Sequence, residues 1–113
     1  MAGQDWSIRI EPDGDTFVFN PSQQNAENSD LISWNNRTDE THQPWPANEN
    51  WEPLPDDKVT KGSAGCTYLS DPIEAWESSS PAYVCAAPLT GSTTIYYVCK
   101  YHPNEHGTIV VSA

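Results

Sequence analysis

Short runs in which apolar and polar residues alternate recur along the chain. Within residues 30–35, Ile32 and Trp34 fall on one face of an extended strand, while Leu31 and Ser33 fall on the other. The remaining runs alternate or are rich in β-branched and aromatic side chains, and they lie at residues 6–10, 16–19, 93–99 and 107–112. No window of about a dozen residues keeps an apolar period of 3.6. The pattern therefore predicts an all-β protein.

The stretch between residues 43 and 91 departs from this pattern. It holds seven of the ten Pro residues and much of the acidic charge, yet it carries Trp and Tyr residues at a density that disordered segments rarely reach. We therefore expect a long, ordered, Pro-rich and acidic excursion from the sheets. Within it we expect short strands at residues 66–69 and 82–85 and a helical turn at residues 72–77.

Length and charge limit the domain organisation and the partners. The 113 residues have the size of one small domain, spanning residues 1–113, with a single core. Five basic and 16 acidic residues give a net charge of −11, which opposes binding to a phosphate backbone, so we do not expect a nucleic-acid partner. No run approaches the about 18 to 20 consecutive apolar residues that span a bilayer, and the first residues lack the pattern of a signal peptide. We expect a soluble domain without a membrane span.

Residues with metal affinity stand at the ends of predicted strands. Cys99 ends one strand, His102 follows across a tight turn, and His42 lies in a loop after another strand. A Cys at a strand end and a His beyond a turn are able to face the same point, and a loop from a neighbouring strand supplies the third ligand. Two imidazoles and one thiolate form the donor set of blue copper electron-transfer sites. The spacing therefore indicates a mononuclear metal site.

Two segments resemble those of a known family. The segment from Cys99 to Val111, with its Cys-x-x-His-Pro sequence, resembles the C-terminal signature of the cupredoxins, and the segment from Trp34 to His42 resembles their upstream histidine segment. The resemblance implies a Greek-key β-sandwich of about seven or eight strands. It implies one copper ion held by His42 Nδ1, the Cys99 thiolate and His102 Nδ1. It also implies a protein that carries single electrons between redox partners, and not an enzyme.

The chain departs from short-loop cupredoxins at the axial ligand position. There a Met follows the His-Pro pair, whereas this chain aligns Glu105 with that position and has Met1 as its only Met. Three alternatives stay open: Glu105 coordinates through a carboxylate oxygen, His106 supplies a third nitrogen, or the position is open to water. An oxygen donor, as in the red copper proteins, would stabilise Cu(II) and lower the reduction potential.

Two other functions remain as alternatives. A carboxylate-ligated or open copper site would react with small molecules such as nitric oxide or nitrite, because a vacant position allows ligand exchange. A non-redox β-sandwich that binds a ligand through surface Trp residues is the second alternative.

Two Cys residues are left over once Cys99 is assigned to the metal. We expect Cys66 and Cys85 to form a disulfide that fixes the excursion to the sandwich, the alternative being two reduced thiols. Disulfides and copper–thiolate chemistry share an oxidising compartment. We therefore expect a periplasmic or exported protein whose signal peptide is absent from the sequence.

The resemblance also suggests where a redox partner docks. In cupredoxins the C-terminal His ligand reaches the surface through an apolar patch, for which Pro44, Trp45 and Pro103 are the candidates here. Trp45, Trp51 and Trp76 are candidates for shielding the metal from solvent. The acidic surface predicts a partner with a basic docking surface and an association rate that falls as salt rises.

Overall fold

The computed structural model describes residues 4–27, 30–59, 69–79, 82–83 and 92–112. Within these ranges the regular secondary structure is almost entirely β-strand. They are, in chain order, β1 (Asp5–Asp13), β2 (Thr16–Asn20), β3 (Gln23–Glu27), β4 (Leu31–Asn36), β5 (Pro44–Ala47), β6 (Ala82–Tyr83), β7 (Ser92–Cys99) and β8 (His102–Ser112), with one turn of 3-10 helix (Asp56–Lys58) between β5 and β6. No helix in these ranges has the length and apolar character needed to cross a membrane.

The strands form two four-stranded sheets that pack as a sandwich. One sheet has the order β2-β1-β4-β6, and the other has the order β3-β8-β7-β5. Antiparallel hairpins join β1 to β2 and β7 to β8, whereas β1 pairs with β4 and β3 with β8 in parallel. The all-β structure expected from the alternating pattern and the β-sandwich implied by the resemblance are both confirmed.

The core lies between the sheets and follows directly from the alternation. In β4, Ile32 and Trp34 are buried while Leu31 and Ser33 are only partly buried, which is the division of faces that the sequence predicts. Fully burying one such side chain contributes about 1.5–3 kcal/mol to folding. Both sheets and the segment before β6 contribute apolar side chains to the cluster, namely Ile8, Ile10, Phe19, Ala26, Ile32, Trp34, Leu69, Ile73, Tyr97, Cys99, Ile109 and Val111.

The excursion differs in detail from its expected structure. It begins with β5, an edge strand, and the short β6 falls within the expected strand at residues 82–85. The helical turn expected at residues 72–77 is wrong. Ile73 instead forms an isolated bridge with His42, and Trp76 has a φ of 66°, outside the helical region. The backbone pairs at Ile73 with the loop that carries His42 and then makes a non-helical turn, in which the N–H of Glu77 donates to the carbonyl of Glu74 over 3.1 Å.

Two expectations concern residues outside the described ranges. Cys66 and Cys85, and with them the proposed disulfide, lie there, as does most of the strand expected at residues 66–69. Those expectations stay predictions.

The two ends of the described chain meet at one end of the sandwich. The N–H of Leu31 donates to the carbonyl of Gln4 over 2.8 Å, and Ser112 lies opposite Glu27 in the β3–β8 pair. The buried Asp30 carboxylate accepts hydrogen bonds from the N–H groups of Gln4 and Glu27, at 3.1 and 2.8 Å. The opposite end of the sandwich is where β4 and β7 finish and β8 begins.

Candidate metal centre

Four side chains converge at that opposite end. His42, Cys99, His102 and Glu105 each offer one ligand atom, and these atoms all lie within 4.8 Å of one another. Cys99 ends β7 and pairs with His102 at the start of β8, while Glu105 lies three residues further along β8. One hairpin therefore supplies three of the four groups, and the loop between β4 and β5 supplies His42.

The separations within the cluster suit a small cation. Cys99 Sγ lies 3.4 Å from His42 Nδ1 and 3.5 Å from His102 Nδ1. The Glu105 carboxylate lies 3.4 Å from His42 Nδ1 and 3.8 Å from His102 Nδ1. With metal–nitrogen bonds of about 2.0 Å and metal–sulfur bonds of about 2.3 Å, a four-coordinate ion separates its ligands by about 3.5 Å. The residues present therefore fit one metal ion.

His42 is fixed by its backbone and by its outer ring nitrogen. Its N–H and C=O both hydrogen-bond to Ile73, at 3.1 and 2.7 Å, and its Nε2 lies 3.0 Å from Thr38 Oγ1. The Thr38 hydroxyl has its own acceptors, Asn36 Oδ1 at 2.8 Å and the carbonyl of Glu40 at 3.2 Å. It is therefore free to accept a hydrogen bond from Nε2–H, which leaves the lone pair of Nδ1 for a metal.

The pKa values of His42 and Cys99 show that the cluster stabilises a positive charge on the imidazole and a negative charge on the thiol. Burial acts to lower the pKa of His42, but the close contacts of its ring with Cys99 and with the negative charge of Glu105 outweigh it and raise the pKa to about 9. Burial acts to raise the pKa of the Cys99 thiol, yet hydrogen bonds from His42, the nearby backbone and His102 hold that pKa below its ordinary value. A bound metal would displace the proton from Nδ1 and take over its favourable contacts.

Glu105 points into the cluster and His106 points away from it. Glu105 is only 4% exposed, and its Oε1 has no hydrogen-bond partner among the described residues. A buried carboxylate oxygen without a donor is costly unless a positive charge compensates it. His106 is exposed and stacks on Trp51, with ring centroids 4.3 Å apart. Of the two residues considered for the axial position, the structure therefore brings Glu105 to the cluster.

The cluster is closed to solvent on most sides. Cys99 and His42 are 0% exposed, whereas the His102 side chain is 30% exposed. The outer nitrogen of His102, Nε2, lies 3.4 Å from Glu40 Oε1, and the Glu40 side chain is 53% exposed. His102 is therefore the ligand candidate whose edge reaches the surface, and its surroundings there are acidic.

The aromatic residue that covers the cluster is Phe17, which the sequence analysis did not single out. Its ring centroid lies 4.7 Å from that of His42 and 5.5 Å from that of His102. The alternation of β2 places Phe17 and Phe19 on one face, but only the pairing of strands reveals what that face covers. The sequence also places Phe17 just after the Asp13-Gly14-Asp15 turn, and therefore near the end of its strand.

The Trp residues proposed for shielding make other contacts. Trp45 is buried, donates its Nε1–H to the carbonyl of Leu54 over 2.7 Å and has Lys100 Nζ 4.0 Å above its ring. Trp51 donates to the carbonyl of Gly107 over 3.0 Å, and Trp76 is 65% exposed. These three Trp residues therefore do not cover the cluster, and Phe17 covers it instead.

The proposed apolar docking patch also needs correction. Pro44 is fully buried and Trp45 is 6% exposed, because β5 packs both of them against the protein. The side chain of Pro103 lies outside the described part of the chain. Pro44 and Trp45 therefore do not form the patch around His102.

Comparison with known structures identifies the fold. The purple cupredoxin from Nitrosopumilus maritimus superposes with a TM-score of 0.69 at 14% identity, over 94% of this chain and 98% of that one. Amicyanin from Paracoccus versutus gives a TM-score of 0.60 at 12% identity, over 94% and 79% of the two chains. The chain has the cupredoxin fold. A third structure, the reduced Cu(I) form of an amicyanin variant at pH 4, gives a TM-score of 0.59 at 17% identity over 96% and 84%.

The likeness to these cupredoxins lies in the fold and not in the overall sequence. No protein-family model and no curated protein matches the chain. Within this cupredoxin fold, the residues that the sequence analysis selected as ligands lie together at one end of the sandwich.

Proposed function

We propose that the protein binds one copper ion and carries single electrons between redox partners. The observation that carries the proposal is the convergence of two imidazole Nδ1 atoms and one thiolate on one buried point. That donor set is the one that blue copper electron-transfer sites use. Two of the amicyanin structures with the same fold are described as a reduced Cu(I) form and an oxidised form. The bound ion would supply a one-electron Cu(II)/Cu(I) couple.

The residues around the metal centre suit electron transfer. His42 is held through both its backbone and its outer nitrogen, and Cys99 lies in a paired strand. A site whose ligands are held by packing and hydrogen bonds resists rearrangement when its charge changes. His102 faces the cluster through Nδ1, 3.5 Å from Cys99 Sγ, while its side chain is 30% exposed. It therefore provides the shortest route from the metal to a docked partner.

Glu105 is the fourth ligand in this proposal. Its buried carboxylate faces both imidazoles, and its Oε1 has no hydrogen-bond partner in the described part of the chain. A carboxylate oxygen favours Cu(II) more strongly than a thioether does. We therefore expect a lower reduction potential than a Met ligand would give, and a colour shifted from blue toward green or red.

The partner in this proposal has a basic docking surface. The net charge of −11 attracts cationic proteins, and Glu40 places acidic charge directly beside the exposed edge of His102. Copper–thiolate chemistry, together with the disulfide expected between Cys66 and Cys85, favours an exported or periplasmic location.

Addition of Cu(II) to the purified protein tests the proposal. A thiolate-to-copper absorption band should appear in the visible range with the wild-type chain and should be absent in Cys99→Ser. His106→Ala is the matched control, because it removes an exposed His next to the centre, and it should keep the band. A wild-type protein that remains colourless with Cu(II) would show that the copper proposal is wrong.

A further inference from the structure

We infer that Phe17 closes the metal centre to small molecules, so that the site exchanges electrons but not ligands. The inference rests on the proposed copper function, and it assigns a specificity-determining role to a residue outside the ligand set. Phe17 decides whether azide-sized or nitric-oxide-sized molecules reach the ion.

The contacts of Phe17 place it over both imidazole ligands at once. Its ring meets that of His42 edge-on, at an interplanar angle of 75°, and lies tilted against that of His102 at 53°. The two imidazole centroids are themselves 5.0 Å apart. The three rings therefore form one continuous aromatic cluster, and a molecule approaching from this side meets the phenyl ring first.

The position of Phe17 in β2 explains why it serves as a cover and not as core. Phe19, the next residue on the same face, is 3% exposed and packs edge-on against Tyr97 at 4.7 Å. Phe17 lies one step closer to the metal end and is only partly buried. Removing its ring therefore opens a path to solvent, whereas removing the ring of Phe19 would leave an enclosed cavity.

The support for Phe17 comes from the β1–β2 hairpin. Phe17 pairs with Pro12, and Thr16 pairs with Asp13 across the turn at Gly14, whose φ is 63°. The strand β1 lies inside its sheet, paired with β2 and with β4. The phenyl ring is therefore held by a paired strand and does not depend on the metal ligands for its position.

Phe17→Ala tests the inference, with Val18→Ala as the matched control. Val18 is the next residue of β2, is 37% exposed and points to the other face of the strand. In the copper-loaded protein, azide should leave the visible spectrum of the wild type and of Val18→Ala unchanged. It should shift the spectrum of Phe17→Ala saturably, because an exposed metal centre accepts an anionic ligand.

A second readout uses the metal-free protein. Alkylation of Cys99 by iodoacetamide, followed by mass spectrometry of the peptide that contains it, should be roughly tenfold faster in Phe17→Ala than in the wild type. Val18→Ala should stay within about twofold of the wild-type rate. Phe17→Leu, which keeps an apolar side chain at the same place, should give an intermediate alkylation rate. This variant also provides the test if Phe17→Ala does not fold.

The outcomes separate this inference from the copper proposal. Equal alkylation rates in the wild type, Phe17→Ala and Phe17→Leu would overturn the role of Phe17, as would an azide response in the wild type as large as in Phe17→Ala. A protein that forms no coloured copper species removes the copper proposal, while the alkylation rates still decide whether Phe17 covers the cluster.

Discussion

Glu105 places a carboxylate where the two imidazole rings of the candidate centre meet. Its oxygens lie 3.4 Å from His42 Nδ1 and 3.8 Å from His102 Nδ1. Its neighbour His106 points to the other face of β8 and stacks on Trp51. Strand alternation thus separates two adjacent potential ligands, because consecutive side chains of a strand face opposite ways.

Replacement of Glu105 by Met should raise the reduction potential of the copper-loaded protein. A thioether favours Cu(I) relative to a carboxylate, and we expect a rise on the order of 100 mV, about a fiftyfold change in the redox equilibrium. The visible spectrum should shift toward blue at the same time. Spectroelectrochemical titration measures both quantities, and His106→Met, which introduces the same residue on the exposed face, should leave them as in the wild type. An unchanged spectrum in Glu105→Met would remove Glu105 from the coordination sphere.

The ligand candidates that lie close together in the sequence were the most predictable part of the centre. Cys99, His102 and Glu105 fall within seven positions of one another and share one hairpin, so spacing alone brings them together. Phe17 was not predictable in this way. Its contact with His42 depends on the order of strands and on the packing of two sheets, which no local pattern specifies.

At the scale of strands, the packing of β8 against β7 depends on Gly107, which has no side chain. A Cβ at Gly107 would lie 2.7 Å from Cζ and Oη of Tyr97 and 3.2 Å from the carbonyl oxygen of Ser22. Tyr97 is 0% exposed and sits between other core side chains, so its ring has little room to move. Gly107 is required here because two strands and a buried phenol approach each other closely.

Gly107→Ala should therefore lower the free energy of unfolding by about 1–3 kcal/mol, the usual cost of overpacking a core. Urea unfolding of the metal-free protein measures it. Gly14→Ala is the comparison, because a Cβ there meets nothing within 4 Å and its cost, about 1 kcal/mol, comes only from a φ of 63°. A Gly107→Ala variant as stable as the wild type would show that the close approach to Tyr97 carries no energetic weight.

Strands with an apolar alternation were predicted, and those without one were not. β3 (Gln23–Glu27) consists mainly of polar residues and has one buried side chain, so it gives almost no periodic signal. β5 contains two Pro residues, Pro44 and Pro46, which argue against a central strand. Its place at the edge of the sheet resolves this conflict, because an edge strand needs fewer backbone donors.

At the scale of the whole molecule, charge should control the rate at which the protein exchanges electrons with a charged partner. Oxidation of the reduced protein by a cationic cobalt(III) chelate should slow severalfold as ionic strength rises from about 0.01 to 0.5 M, because salt screens the attraction to a chain of charge −11. Glu40→Gln, which removes charge beside His102, should weaken this salt dependence.

Stopped-flow measurement of the second-order rate constant tests this expectation. Glu27→Gln is the matched control, since it removes the same charge at the far end of the sandwich, where the ends of the described chain meet. Equal salt slopes in Glu40→Gln and Glu27→Gln would show that electrons do not pass near Glu40. The net charge was readable from the sequence, whereas the position of Glu40 beside His102 was not, because the two are far apart along the chain.

Both ends of the described chain, Gln4 and Ser112, lie at the pole of the sandwich opposite His102, and this determines how an attached protein is oriented. Gln4 and Ser112 both lie near Glu27, while the candidate ligands lie where β7 turns into β8. A linker fused to either end would therefore leave the exposed imidazole edge facing away from the anchor. On an electrode, molecules immobilised through an end of the chain would all present the same face to the solution. Contact of the electrode with His102 itself would instead require attachment through the opposite pole.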